Sequence, residues 1–410
     1  MVHCLGDQKR QCSREMAMRK TVALLFGLVF MTIIAGCGGD SSTTATTKYD
    51  LPAPVPAASA PGTILGGAVQ GRPLPFNNYS VTTFAGSSAG FSNHTSATDM
   101  SAKFNRPMAV TSDGANLYVA DYLNNAIRKI VIASGFVTTI VAVDANNVAA
   151  SFNLPSGITT DGTSLYVADS GNFTIRRIVL STGVVTTLAG AAGTSGSIDA
   201  DIGTNARFNA LNGITTDGTS LYVTDSNNTI RRIVISSGAV STLAGAPGTA
   251  GSTDGAQAAA RFNQPARITC DGPNLYVTDF GNNTIRKIAL KDGTVSTIAG
   301  KVGPGGAAGS HADSADTGLN ARFNQPNGIT TDGKNLYVTD SYDNTVRQIV
   351  LSHTTVFSGT VTTIAGTAGI AGSTDATGTA ASFNTPMDIT TDGTSLFIAD
   401  IENHRIRKIH

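Results

Sequence analysis

Residues 261–300 read RFNQPARITCDGPNLYVTDFGNNTIRKIALKDGTVSTIAG, and closely similar stretches recur five more times along the 410-residue chain. Every copy opens with Phe-Asn, and successive copies are 48 to 61 residues apart. The six openings are Phe104, Phe152, Phe208, Phe262, Phe323 and Phe383. Repeats of this length are typical of a unit of four short strands with their connections.

The second copy shows how one unit is built. Residues 157–160 are β-prone, and Asp161-Gly162 follows as a turn. Residues 165–167, 175–180 and 184–188 predict three further strands, separated by polar turns. Four antiparallel strands form a blade that cannot bury both faces alone, so the copies stack in a ring. The sequence therefore predicts an all-β, six-bladed β-propeller of four-stranded antiparallel blades.

The two ends of the repeat region indicate how the ring closes. The last copy reaches residues 406–410, which correspond to its third strand, and no fourth-strand sequence follows. A lone fourth-strand sequence, Val-Thr-Thr-Phe-Ala-Gly at residues 81–86, stands before the first copy. We expect this N-terminal strand to complete the last blade.

The repeated motifs resemble those of a known family. Phe-Asn-x-Pro, Asp-Gly, Leu-Tyr-Val-x-Asp, Ile-Arg-x-Ile and Val-Thr-Thr-Ile-Ala-Gly are similar to the NHL repeat of six-bladed propellers. The resemblance covers residues 79–410. Copy three departs from it at Leu211, where the other copies have proline, and copy six has Phe397-Ile398 in place of Tyr-Val.

The start of the chain predicts export. Arg19-Lys20 precede the apolar residues 21–34, which is the layout of a signal peptide ending at residue 36. Residues 34–37, Ile-Ala-Gly-Cys, resemble a bacterial lipobox, which implies cleavage before Cys37 and a lipid on that residue. Cleavage by the ordinary signal peptidase is the alternative.

The flanking residues refine this interpretation. Residues 1–15 are too polar for a signal peptide, so we expect translation to begin at Met16 or Met18. Gly38 after the cysteine is similar to the pattern of lipoproteins sent to the outer membrane. Residues 37–78 are then the lipidated cysteine and a flexible linker rich in Ser, Thr and Pro. The predicted location is the bacterial cell envelope, with a lipid anchor as the membrane contact.

Charge and cysteine content narrow the function further. The chain has 28 basic and 28 acidic residues, and without residues 1–36 its net charge is about −3. This balance argues against nucleic-acid binding, which needs a basic surface. Cleavage would leave Cys37 and Cys270, so no disulfide framework is expected. Cys270 replaces the Ser or Thr of the other copies and is interpreted as a packed thiol.

Residues present in every copy are assigned to the scaffold, and residues found in one copy are candidates for a site. An aspartate ends each second strand, and an arginine lies six or seven residues later, so the two can meet across a hairpin. The predicted structural pairs are Asp121–Arg128, Asp169–Arg176, Asp225–Arg231, Asp279–Arg286, Asp340–Arg347 and Asp400–Arg407.

The central channel holds the candidate binding residues, because the residues after Phe-Asn-x-Pro should line it. Most are small or neutral, and the larger ones considered for binding are Met108, Asn212, Asn327 and Met387. Arg267 in copy four and Asp388 in copy six are single charges. Either a ligand contact or a mutual ion pair across the channel would account for them.

Metal and cofactor signals are weak. Asp199, Asp254 and Asp375 recur in the long connections between copies, where solvated turn aspartates are the simpler interpretation and Ca²⁺ binding is the alternative. His94, His311 and His404 fall on predicted loops rather than on innermost strands, where a propeller lyase would hold zinc. We expect no catalytic residue and no cofactor.

Two functions follow from these observations. The first is a non-enzymatic binding module that presents its top face to an envelope protein, a peptide or a glycan. The top face holds the second-to-third-strand turns and the connections that enter the first strands. The alternative, which the resemblance to six-bladed propellers implies, is a metal-dependent enzyme, lyase- or lactonase-like, that uses the central channel.

Overall fold

The computed structural model describes residues 64–65, 68–69, 74–76, 78–87, 102–303, 313, 318–351 and 359–410. All of these residues belong to the unit Tyr49–His410. The predicted signal peptide, Cys37, His94 and His311 lie outside the described residues.

The described strands follow the predicted repeat. The chain first forms β1 (Ile64–Leu65), β2 (Ala68–Val69) and β3 (Ser80–Ala85). Blade one contains β4 (Pro107–Ser112), β5 (Asn116–Asp121), β6 (Ala126–Val131) and β7 (Val137–Thr139). Blade two contains β8 (Pro155–Thr160), β9 (Ser164–Asp169), β10 (Thr174–Val179) and β11 (Val185–Ala189). Blade three contains β12 (Leu211–Thr216), β13 (Ser220–Asp225), β14 (Thr229–Val234) and β15 (Val240–Gly245).

Two of the remaining blades, four and six, have a short additional strand. Blade four contains β16 (Gly255–Ala256), β17 (Pro265–Cys270), β18 (Asn274–Asp279), β19 (Thr284–Ala289) and β20 (Thr294–Ala299). Blade five contains β21 (Pro326–Thr331), β22 (Asn335–Asp340), β23 (Thr345–Val350) and β24 (Val361–Ala365). Blade six contains β25 (Ala376–Thr377), β26 (Pro386–Thr391), β27 (Leu396–Asp400) and β28 (Arg405–Ile409), together with β3.

Short 3-10 helices occupy two kinds of connection. In four blades they form the turn between second and third strands, at Tyr122–Asn124, Ser170–Asn172, Phe280–Asn282 and Ile401–Asn403. The others precede first strands, at Gly203–Asn205, Gln257–Ala259, Gly318–Asn320 and Gly378–Ala380.

Every blade is an antiparallel sheet whose four main strands pair in succession from the innermost to the outermost, so the predicted six four-stranded blades are confirmed. In blades four and six a fifth short strand, β16 or β25, pairs with the outer strand. These added strands cover an edge that would otherwise expose unpaired backbone groups.

The predicted closure is also confirmed. Strand β3 pairs antiparallel with β28, with Val81 opposite Ile409 and Ala85 opposite Ile406. Ser80 and His410 continue this pairing, because the backbone N–H of each donates to the carbonyl oxygen of the other. The outer strand of blade six therefore comes from the other end of the repeat region.

The core lies between blades. The repeated phenylalanines are buried there; Phe262, for example, packs with Tyr222 and Ile230 of blade three and Val277 of blade four. Gly245, which ends blade three, has φ of 92°, and a Cβ there would lie 2.3 Å from the Asn228 carbonyl oxygen and 3.2 Å from the Phe262 ring. Glycine at this position thus lets the next blade's phenylalanine approach the backbone.

The predicted aspartate–arginine pairs are present in all six blades. Nitrogen–oxygen distances run from 2.6 Å in Arg286–Asp279 to 3.3 Å in Arg176–Asp169. Each aspartate also accepts a hydrogen bond from the backbone N–H of the Asn in Phe-Asn; for Asp279 the donor is Asn263 at 2.8 Å. Each guanidinium lies over the phenylalanine of its own copy, with Arg286 5.0 Å from the centre of the Phe262 ring. The Phe-Asn, aspartate and arginine of each copy thus hold the start of its first strand, the end of its second strand and its third strand together.

Packing on the blades starts before the predicted domain start at residue 79. Leu74 is buried, and its backbone N–H donates to Asp332 at 3.1 Å. Phe76 packs edge-on against Tyr337, and the Tyr79 hydroxyl donates to Gln348 at 3.3 Å. Blade five has Gln348 where the other blades have Lys or Arg, so it offers a neutral partner to the incoming chain.

Neighbouring blades are joined at the top face by one repeated hydrogen bond. The last residue of a second-to-third-strand turn accepts, through its side chain, the backbone N–H of the third residue of Phe-Asn-x-Pro in the next blade. The Asn acceptors and their donors are Asn125–Leu154, Asn228–Gln264, Asn283–Gln325 and Asn344–Thr385. Between blades two and three the position is Phe173, and the following copy is the one with Leu211 in place of proline.

The junction that closes the ring uses a histidine at this position. Nδ1 of His404 accepts the Arg106 N–H at 3.1 Å, and the Arg106 side chain pairs with Glu402. Burial lowers the pKa of His404 below its usual 6.5, assisted by Arg106 and opposed by Glu402 and Asp121. Nδ1 can accept this bond only when it carries no proton.

We expect the stability of the closed ring to fall in acid through His404. A lowered folded-state pKa means that the contribution is complete above the unfolded-state pKa, about 6.5, and is lost as pH falls through the folded-state value. The loss should be about 0.5–1 kcal/mol, because the imidazole is only partly buried. Unfolding midpoints of the wild type and His404→Asn, measured from about pH 7.5 to about pH 5, should separate on acidification, because the Asn side chain keeps its acceptor and protonated His404 does not. Parallel pH profiles for the two proteins would contradict this.

Candidate functional site

The top mouth of the channel is built from two positions in each blade. The first is the second residue of the innermost strand, and the second is the residue that follows the second-strand aspartate. The first position holds Met108, Ser156, Asn212, Ala266, Asn327 and Met387. The second position holds Tyr122, Ser170, Ser226, Phe280, Ser341 and Ile401. Because the scaffold is the same in every blade, these variable residues determine the character of the mouth.

One side of the mouth is apolar. Met108, Met387 and Ile401 form a buried cluster where blades six and one meet, and Tyr122 packs against it. Leu123, the next residue along the chain, is 40% exposed. Tyr122 and Leu123 offer the accessible surface here, and methionine side chains adapt in shape, so this part of the mouth suits an apolar group. We call these five residues the apolar patch.

Another part of the mouth, in blades two and three, is polar. The Ser156 and Ser170 hydroxyl oxygens lie 2.6 Å apart, and Ser156 donates to the Leu211 carbonyl oxygen at 2.7 Å. The Asn212 side chain donates to Ser226 at 3.2 Å. Hydroxyl and amide groups there can also bond to a polar ligand.

Arg267 and Asp388 cross the channel beneath the mouth. Arg267 Nε lies 3.6 Å from Asp388 Oδ1, and both side chains are buried. The guanidinium donates to the carbonyl oxygens of Asn212 at 2.7 Å and Met108 at 2.5 Å. Asp388 Oδ2 accepts the Val110 N–H at 3.0 Å. The pair therefore ties blade four to blades six, one and three.

The pKa shifts of Arg267 and Asp388 and the small cavity beside them indicate that this ion pair is a structural contact. Burial lowers the pKa of Arg267 and raises that of Asp388, and in each case the partner's charge opposes the shift. The cavity beside them, lined also by Ile214, Ile329 and Thr390, measures about 20 Å³. That volume holds about one water molecule. Arg267 and Asp388 thus close the channel below the mouth.

The structure brings the predicted binding residues together only in part. Arg267 meets Asp388, and Met108 meets Met387. Asn212 lies on the polar side, whereas Asn327 is buried and its carbonyl oxygen accepts a bond from Thr278 at 2.6 Å. The sequence argument missed Tyr122 and Ile401, since they follow an aspartate that it assigned to the scaffold. Comparing the copies at that next position would have found them.

The aspartates of the long connections bond within the protein. Asp199, Asp254 and Asp375 pair with Arg231, Arg286 and Arg407, the scaffold arginines of the blades that they precede. In the part of the chain that the structure describes, no three His, Cys, Asp or Glu side chains are grouped so as to hold a metal ion. No helix among those residues is long and apolar enough to cross a membrane.

Comparison with known proteins identifies the repeats. No protein-family model matches the chain. NHL repeat-containing protein 2 of Bos taurus is 33% identical over 156 residues, which are 36% of this chain and 21% of the relative. The Homo sapiens protein of that name is 32% identical over the same lengths. The matched part of the chain is homologous to NHL repeats. This chain spans about a fifth of these curated relatives.

Solved structures share the fold of this domain. A protein of unknown function from Bacteroides thetaiotaomicron has a TM-score of 0.59 at 23% identity, over 80% of this chain and 75% of that one. An auxiliary nutrient binding protein from Bacteroides ovatus has a TM-score of 0.59 at 19% identity, over 82% and 77% of the two chains. These likenesses establish the propeller architecture.

We expect Asp388→Asn to destabilise the domain by about 3–5 kcal/mol, because it leaves the buried Arg267 without its counter-charge. The double variant Arg267→Met/Asp388→Asn should be more stable than this single variant, since the buried charge is removed as well. Denaturant unfolding of the wild type, both single variants and the double variant tests this. Additive losses would show that the two side chains are not coupled.

Proposed function

We propose that this NHL propeller is a non-enzymatic binding module that holds an envelope protein, peptide or glycan at its top face, with a lipid on Cys37 as its anchor. The observation that carries the proposal is the mouth itself. The side chains that differ between copies converge there, with the apolar patch on one side and serine and asparagine on the other.

The closed channel supports binding at the surface rather than within the ring. Arg267 and Asp388 satisfy each other and the backbone around them, and the cavity beside them holds about one water molecule. A ligand larger than water therefore meets the mouth and its surrounding turns. A polypeptide is the first partner to test, because an apolar side chain would fit the patch while its backbone bonds to the polar side.

The path of the chain supports an anchor that leaves the top face free. Strand β3 begins at Ser80 beside His410, at the bottom face, where the first-to-second-strand turns lie. Leu74 also bonds at that face, to Asp332 in such a turn. The described chain thus enters the propeller at the face opposite the mouth.

The fold is compatible with this role. One protein with the same architecture is named an auxiliary nutrient binding protein. Because its identity to this chain is only 19%, it does not indicate which ligand this chain binds, and the ligand has to be identified by experiment.

We expect a photo-crosslinking amino acid at Leu123 to capture one recurrent partner in native envelopes. Leu123 is exposed and belongs to the apolar patch. The matched control is Ala115, an exposed residue in a first-to-second-strand turn of the same blade, on the opposite face. With the captured partner purified, Leu123→Glu should weaken binding by about tenfold or more, and Ala115→Glu should not. Equal capture from both positions would refute binding at the top face.

The anchor is tested separately. We expect Cys37→Ser to move the protein from the membrane fraction to the soluble fraction, because it removes the sulfur that would carry the lipid. Cys270→Ser is the control, since Cys270 is buried in blade four and other copies have Ser or Thr at that position. Continued membrane association of Cys37→Ser would show that something else holds the protein there.

A further inference from the structure

The connections that precede blades three, four, five and six each supply a second carboxylate to the scaffold arginine. In blade four, Asp254 Oδ1 lies 2.8 Å from Arg286 Nη2 and accepts the Thr297 hydroxyl at 3.0 Å. Its Oδ2 accepts the Thr297 backbone N–H, also at 3.0 Å. Asp199 and Asp375 repeat the three contacts in blades three and six, and Asp313 pairs with Arg347 in blade five.

Blade two has the same donors in the same register. Arg176 stands opposite Thr187, as Arg286 stands opposite Thr297. The connection before this blade has one acidic residue, Asp144, and its carboxylate accepts the N–H groups of Asn146 and Val148 in its own turn. The equivalent connection of blade one falls on residues 88–101, outside the described part of the chain.

The donors of blade two are consequently open. Arg176 uses Nη1 for Asp169 at 3.3 Å and for the Ser151 carbonyl oxygen at 3.4 Å. Within the described residues, no partner bonds to Arg176 Nη2 or to the Thr187 hydroxyl, and the Thr187 N–H occupies the register position at which the Thr297 N–H faces Asp254 in blade four. The Arg176 side chain is 16% exposed, whereas its counterparts in blades three to six are fully buried. Thr187 is exposed in the outer strand.

The geometry of the other blades defines the ligand that would fit. In blades three, four and six the three donors hold one planar carboxylate, through a charged guanidinium, a hydroxyl and a backbone N–H. In blade two, Asp169 and the Phe152 ring already fix the guanidinium, and strand pairing fixes the Thr187 backbone. Little ordering would therefore accompany binding.

We propose that the outer edge of blade two is an open carboxylate-binding site, formed by Arg176 and Thr187, that takes an acidic side chain of a partner polypeptide. A polypeptide fits better than a small free acid because the adjoining connection exposes apolar surface, with Val141 76% and Val148 60% exposed. Val143 in that connection pairs with the start of the outer strand, which holds this surface beside the site. The site is separate from the channel mouth and does not depend on the proposed function.

The probe is a synthetic peptide that copies Ala250–Ala256, since its aspartate fills the equivalent site of blade four. It is titrated into the isotopically labelled full chain while the Thr187 backbone amide is followed by NMR. The peptide should shift this amide, and the same peptide with Asn in place of Asp should bind at least tenfold more weakly. Arg176→Gln should abolish the response, and Thr186→Val, in the neighbouring position, should leave it unchanged.

Two further arms make the outcome decisive. Sodium acetate should saturate the shift only at more than tenfold higher concentration than the peptide; equal potency would overturn the assignment to a polypeptide partner. Asp254→Asn should open the blade-four site, so that Thr297 also responds to the peptide. A response at Thr297 without one at Thr187 would overturn the proposed site. If Asp254→Asn does not fold, equal effects of the Asp and Asn peptides on the wild type would overturn it.

Discussion

The ring depends on the pairing of β3 with β28. Each blade buries its faces against two neighbours, so an open ring would expose the sides of blades one and six to water. The pairing brings Ala85 and Ile406 of blade six into one core cluster with Phe104 and Val119 of blade one. A strand from one end of the domain thus decides whether the faces of the first and last blades are buried.

Each copy other than the second buries an arginine, and repeated partners satisfy its charge. A fully buried arginine is costly unless its charge and N–H groups are satisfied. Arg286 meets this need with Asp279, the Arg261 carbonyl oxygen, Asp254 and the face of Phe262. The loop aspartate does more than neutralise charge, because it also holds the connection against the outer strand through Thr297. Blade two shows how a copy folds without that residue.

Departures from the repeat mark the places where this ring differs from six identical blades. Gln348 receives the hydroxyl of Tyr79, His404 takes the place of asparagine at the closing junction, and Phe173 removes the acceptor between blades two and three. Arg267 and Asp388 are also departures from the repeat, since the positive charge in blade four needs a negative charge in blade six to pair with. Variation between copies therefore serves assembly of the ring as well as binding.

The sequence by itself determined the strand order, the number of blades, the closing strand and the aspartate–arginine pairs. These features follow from local propensities and from spacing within one copy, which the repeat shows six times. Only the tertiary structure decided that Arg267 reaches Asp388, that Met108 and Met387 join Ile401, and that Leu74 bonds to blade five. Such contacts join residues of different copies, and their distances depend on the radius of the ring and the tilt of its blades, which no single copy specifies.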